Sequence, residues 1–126
     1  MSKSITSFIK SDLSITDFIL KLEDILKISF VQNVQVEWDL FATKIMGLFI
    51  SVYDSEGFVD DLGINFSSFN YVIDVELVSM DIPEKYRNDW DKIFSIILIH
   101  ILSKQLKCDF IITDDMQEIL DRSASK

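Results

Sequence analysis

At 126 residues and 48% hydrophobic content the chain fits a single domain able to bury a real core. Twenty-one acids against twelve bases give a net charge of −9, the wrong sign for a protein that holds nucleic acid or an anionic membrane by neutralising phosphates. Its one cysteine excludes an internal disulfide framework and a cysteine-based zinc cluster.

The first twelve residues, MSKSITSFIKSD, lack the apolar run of a signal peptide and are expected to fray or to add a short helical turn. Ser14 and Asp17 then have the spacing of a capping box, with Leu13 and Phe18 placed as its hydrophobic staple. Ile15, Phe18, Ile19, Leu22, Ile25 and Leu26 follow as an i, i+3, i+4, i+7 stripe, which predicts an amphipathic helix over 15–28.

From Val34 the period changes to two. Val34, Val36 and Trp38 alternate with Gln35, Glu37 and Asp39, the pattern of a half-buried strand. A second strand is expected over 45–53, with Gly47 a bulge or a point of close backbone approach. A turn is expected at 54–57, and 58–70 reads as a loop or a short edge strand. Tyr71, Ile73, Val75 and Leu77 alternate with Asp74 and Glu76, as in an antiparallel sheet with one solvated face.

Pro83 suits the start of a long helix reaching Leu106. Between Phe94 and Leu102 that helix is apolar almost all round, which predicts burial on most of its sides. A strand over 108–113 and a short helix over 116–121 complete the order, and the tail 122–126 is expected to be disordered. Residues 1–126 therefore read as one α+β domain. It has a mostly antiparallel sheet of three to five strands, a long central helix and an N-terminal amphipathic helix. No signal sequence and no disulfides favour the cytoplasm.

Catalytic chemistry finds little to work with. His100 is the only histidine and falls in the most apolar part of the long helix, where a neutral, hydrogen-bonded imidazole is the ordinary outcome. Cys108 opens an expected strand and reads as a small core residue. Asp60 with Asp61 and Asp114 with Asp115 are the tightest carboxylate pairs, but helix capping accounts for the second. Neither lies in a Gly-punctuated calcium loop, and no glycine-rich phosphate loop is present. No enzyme, cofactor or metal is expected.

The charge itself is uneven. Between Val36 and Asp81 stand nine acids and one base, Lys44, and the rest of the chain is almost neutral. Aromatics with acidic neighbours recur there: Trp38 between Glu37 and Asp39, Phe58 before Asp60 and Asp61, Tyr71 before Asp74 and Glu76. Such a segment predicts a one-sided negative field and a surface complementary to a basic protein.

Residues 101–117, ILSKQLKCDFIITDDMQ, run from a long apolar helix through Cys108 and Asp109 into a short strand and an acidic pair. In that layout the chain resembles the immunity proteins of contact-dependent growth inhibition and related bacterial polymorphic toxin systems. The resemblance implies an antitoxin: a cytoplasmic toxin inhibitor that binds a basic, nuclease-type toxin domain, itself a monomer or weak dimer. The expected contact residues are Asp60, Asp61, Asp74 and Glu76, then Asp114 and Asp115. Two other functions fit the same charge, an acidic secretion chaperone binding an effector segment as a dimer and an inhibitor that mimics nucleic acid.

Overall fold

A computed structural model describes residues 4–33, 40–54, 69–115 and 118–123. They form a single seven-stranded antiparallel sheet with two helices, in the chain order β1 (Ser4–Lys10), α1 (Ile15–Leu26), β2 (Val31–Asn33), β3 (Leu40–Ile45), β4 (Leu48–Asp54), β5 (Tyr71–Leu77), α2 (Glu84–Leu106), β6 (Asp109–Asp114) and β7 (Glu118–Arg122). Across the sheet the order is β2-β3-β4-β5-β1-β6-β7. The α+β class and antiparallel sheet agree with the sequence, but the strands are seven rather than three to five, and a strand precedes the amphipathic helix.

The residues expected to fray supply the middle of the sheet. β1 pairs with β5 on one side and β6 on the other, and Ile5 to Ile9 are all buried. A strand covered on both faces loses the apolar–polar alternation that marks a half-buried one. Here Ser4, Thr6 and Ser7 further disguise it as a polar terminus.

Both helices pack on one face. Ile5 and Ile9 of β1, Leu48, Ile50 and Val52 of β4, Tyr71, Ile73 and Val75 of β5, and Phe110 and Ile112 of β6 meet Phe18, Ile19 and Leu22 of α1 and Leu98, Ile99 and Leu102 of α2. Ser14 caps α1 as expected, its Oγ accepting from the Asp17 N–H at 3.2 Å. Phe18 stacks on Tyr71 with ring centroids 4.6 Å apart, and the Tyr71 hydroxyl donates to the Leu13 carbonyl. A smaller cluster occupies the other face, where Phe8, Val72 and Ile111 are buried with Tyr53 and Phe69 against them.

Three further expectations change. The strand expected over 45–53 is the second arm of a hairpin, β3 to β4. Met46 and Gly47 form its turn with φ of 50° and 81°, the left-handed pair a two-residue hairpin loop needs. A Cβ at Gly47 would stand 3.0 Å from the Ile82 side chain, so any other residue would have to displace Ile82 as well as adopt a strained φ. The strand expected over 34–38 lies outside the described residues. The short helix expected over 116–121 is replaced by β7, which pairs with β6 through a register shift at Ile112/Thr113. Ser123, expected in a disordered tail, donates its backbone N–H to the Phe110 carbonyl at 2.9 Å.

The long helix starts one residue later than expected, with Pro83 as its capping residue. It is not buried on most sides. Only Ser95, Leu98, Ile99 and Leu102 are buried, while Ile93, Ile97 and Ile101 face outward. Where α2 crosses the sheet, Ser7 and Ser95 are both buried and their hydroxyls find no hydrogen-bond partner among the described residues. An unpaired buried hydroxyl is destabilising, and alanine is the better helix former. Ser95→Ala is therefore expected to raise the unfolding free energy by about 0.5–1 kcal/mol in urea titration. A loss of stability would mean that the hydroxyl has a partner.

Candidate functional site

The order β5-β1-β6 decides where the expected contact residues meet. Ser4 stands opposite Glu76 of β5, Thr6 opposite Asp74 of β5 and Thr113 of β6, and Ile5 opposite Asp114. The Asp115 N–H donates to the Ser4 carbonyl at 2.9 Å. Asp74, Glu76, Asp114 and Asp115, which come from two distant segments of the chain, therefore converge on the first residues of β1. Asp60 and Asp61, with Glu37, Trp38, Asp39 and Phe58, lie outside the described residues.

The four carboxylates play different parts. Asp74 is largely withdrawn from solvent. Its Oδ1 accepts from the Thr6 hydroxyl and its Oδ2 from the Tyr53 hydroxyl, both at 2.6 Å. Burial pushes its carboxyl up; the two hydrogen bonds act in the other direction and Glu76 adds to the rise. Ser4 Oγ lies 3.3 Å from Thr6 Oγ1, and Thr113 Oγ1 donates to the Thr6 carbonyl at 2.8 Å. Asp74 thus anchors a hydrogen-bonded network on the sheet.

Glu76 and Asp115 are half-buried, and Glu118 beside them at the start of β7 is exposed. Asp114 points to the helix-bearing face, where its Oδ2 lies 3.5 Å from Lys92 Nζ of α2. Asp91 of α2 adds a further carboxylate, pushed up by burial and, in smaller part, by Asp114. This end of the sheet thus carries Asp114 on the helix-bearing face, with Lys92 against it and Asp91 nearby. Glu76 is on the opposite face, Asp115 is next in the chain, and Glu118 is paired across from Asp114. Carboxylates so placed concentrate a negative potential without needing a cavity.

The acids of the 36–81 segment do not all join it. Asp54 pairs with Tyr71 at the opposite end of the sheet, where Asp109 also stands, opposite Lys10. Sequence reasoning missed Asp91; Glu118 stands beside the Asp114–Asp115 pair but falls outside that segment.

His100 departs from its expected setting. It is exposed on α2, with Nε2 2.6 Å from Asp121 Oδ2 and its ring edge-on to Phe110 at 5.1 Å. The bond to His100 holds the Asp121 carboxyl below the usual carboxylate range. Cys108 is buried as expected, and that burial pushes its thiol up, away from the reactive thiolate. Among the described residues no three His, Cys, Asp or Glu side chains are grouped to hold a metal ion, and no helix is long and apolar enough to cross a membrane.

Compared with protein-family models, with curated proteins and with solved structures, the chain finds no match.

Proposed function

We propose that this chain is a toxin-neutralising immunity protein whose acidic sheet end docks a basic, nuclease-type toxin domain. The observation that carries the reading is the convergence of Glu76, Asp114 and Asp115 on the start of β1, with Asp91 and Glu118 beside them. Long-range attraction would bring the two proteins together quickly and weaken as salt rises. Carboxylates held on a rigid sheet then stand where the phosphates of the toxin's substrate would lie, and occupy its basic site without being cleaved. Inhibition is stoichiometric and needs no cofactor.

Reversing Glu76, Asp114 and Asp115 to lysine tests this. Asp74 is left alone, because its network belongs to the fold. Affinity for a basic, nuclease-type toxin domain that the chain neutralises is expected to fall by at least about 100-fold, equivalent to about 2.7 kcal/mol, with the far-UV circular dichroism unchanged. Protection of cells expressing that toxin should be lost with it. Full affinity and protection in the folded triple variant would remove these positions from the interface.

A second reading, an acidic secretion chaperone that binds an effector segment as a dimer, is favoured by one observation. Tyr86, Ile93, Ile97 and Ile101 form an exposed apolar line on α2. The ligand separates the two: an immunity protein binds the folded toxin domain, a chaperone an unfolded apolar peptide.

A further inference from the structure

With Ser95, Leu98, Ile99 and Leu102 turned to the sheet, the opposite side of α2 carries Ile93, Ile97 and Ile101 at four-residue intervals. They are 49%, 55% and 39% exposed, and Tyr86 extends the line at 53%. A single exposed isoleucine needs no explanation, but three of them repeated along one helix face are the kind of surface that another protein can cover.

The charges and spacing of the ridge select its occupant. Ile93 and Ile101 stand equally far on either side of Ile97. A two-fold axis near Ile97 would therefore set Ile93 against Ile101 of a second copy and Ile97 against itself, as an isologous contact requires. The exposed charges flanking the ridge differ in sign at its two ends: Asp89 precedes Ile97 and Lys104 follows it, each about 11 Å away along the helix. Antiparallel pairing places Asp89 near Lys104 of the second copy, twice, and opposes the two helix dipoles.

The other cations of the N-terminal half are engaged within their own chain. Arg87 donates from Nε to the Ile82 carbonyl at 2.7 Å and from Nη2 to the Met80 carbonyl at 2.8 Å. Lys92 reaches Asp114, and Lys85 Nζ lies 5.3 Å from the centre of the Tyr86 ring. Over its length α2 carries four bases against three acids in a chain of net charge −9. Two copies meeting along it are spared the repulsion that contact between their acidic ends would bring.

We infer that α2 is the seam of an antiparallel homodimer centred on Ile97. The inference rests on α2 alone and stands apart from the docking role of the acidic end. Light scattering after size exclusion should find a dimer with a dissociation constant of about 1–10 µM. Ile97→Lys sets like charges on the axis, so it should raise that constant at least about 100-fold and leave a folded monomer. Ile97→Cys should oxidise to a covalent dimer, because residue 97 meets its own copy, and this variant decides the matter if the lysine variant fails to fold. A wild-type monomer at about 1 mM, a dimer indifferent to Ile97→Lys, or a dimer that Ile97→Cys cannot cross-link would overturn the inference. So would binding of an unfolded apolar peptide by a monomer through the same ridge.

Discussion

Truncating Phe8 to alanine lowers the unfolding free energy by about 3–5 kcal/mol in urea titration. Phe8 is 0% exposed and sits at the centre of β1, on the face opposite the helices. Val72 lies across from it on β5 and Ile111 on β6, and Tyr53 and Phe69 close the cluster. Removing the ring costs both the transfer of its apolar surface and the cavity that remains. Because domains of this size are stable by only about 5–15 kcal/mol, the variant should be partly unfolded at physiological temperature. Leu20, 56% exposed on α1, serves as the control, and Leu20→Ala should change stability by less than about 0.5 kcal/mol. A loss below about 1 kcal/mol at Phe8 would mean that the N-terminal strand is peripheral after all.

The second large effect concerns the half-buried carboxylate of Asp74 on the same face. Tyr53→Phe and Thr6→Val each remove one of the hydroxyls that donate to Asp74. Hydrogen bonds to a charged group contribute about 1.5–3 kcal/mol, so each variant should lose that much at neutral pH. Burial pushes the Tyr53 hydroxyl far up, and it therefore stays protonated and able to donate at any ordinary pH.

The pH dependence has a definite sign. Burial raises the carboxyl of Asp74 above its value in the unfolded chain, so the folded state binds more protons at this site. Its contribution to stability is complete below the ordinary carboxylate range and is lost as pH rises through the raised folded value. Asp74→Asn should flatten that part of the profile in urea titrations between about pH 4 and pH 7. Removing either donor makes the charged form harder to hold, so the deficit of both variants should shrink as acid protonates Asp74. A deficit independent of pH would assign the loss to packing instead.

How much the sequence discloses depends on what covers each element. β5 is legible because Tyr71, Ile73 and Val75 face the helices while Asp74 and Glu76 face the other way. α1 is legible because Ser14 starts it and a single stripe of apolar residues faces the core. β1 is not, since its residues are buried on both faces and three of them are serine or threonine. β7 reads as helix because the spacing of Met116, Ile119 and Leu120 suits one, and the irregular register at Ile112/Thr113 blurs its alternation. All-round apolarity in α2 reflects one side packed on the sheet and an opposite side on which Ile93, Ile97 and Ile101 are exposed.

The candidate site follows the same logic. Asp74 and Glu76 stand about forty residues from Asp114 and Asp115 in sequence, and nothing local connects them. They become neighbours only because β1 is inserted between β5 and β6. The sequence identifies the carboxylates; the unrecognised strand is what groups them. Counting acids along a window instead takes in Asp54, which belongs to the far end of the sheet, and passes over Asp91 and Glu118.

Carbodiimide labelling of carboxylates, read by mass spectrometry with and without a basic, nuclease-type toxin domain, tests the proposed docking surface directly. Protection concentrated on Glu76, Asp114, Asp115 and Glu118, with Asp54 and Asp109 at the far end still labelled, is the predicted pattern. Equal labelling of Glu76, Asp114 and Asp115 in free and bound protein, or protection confined to Asp54 and Asp109, would contradict it.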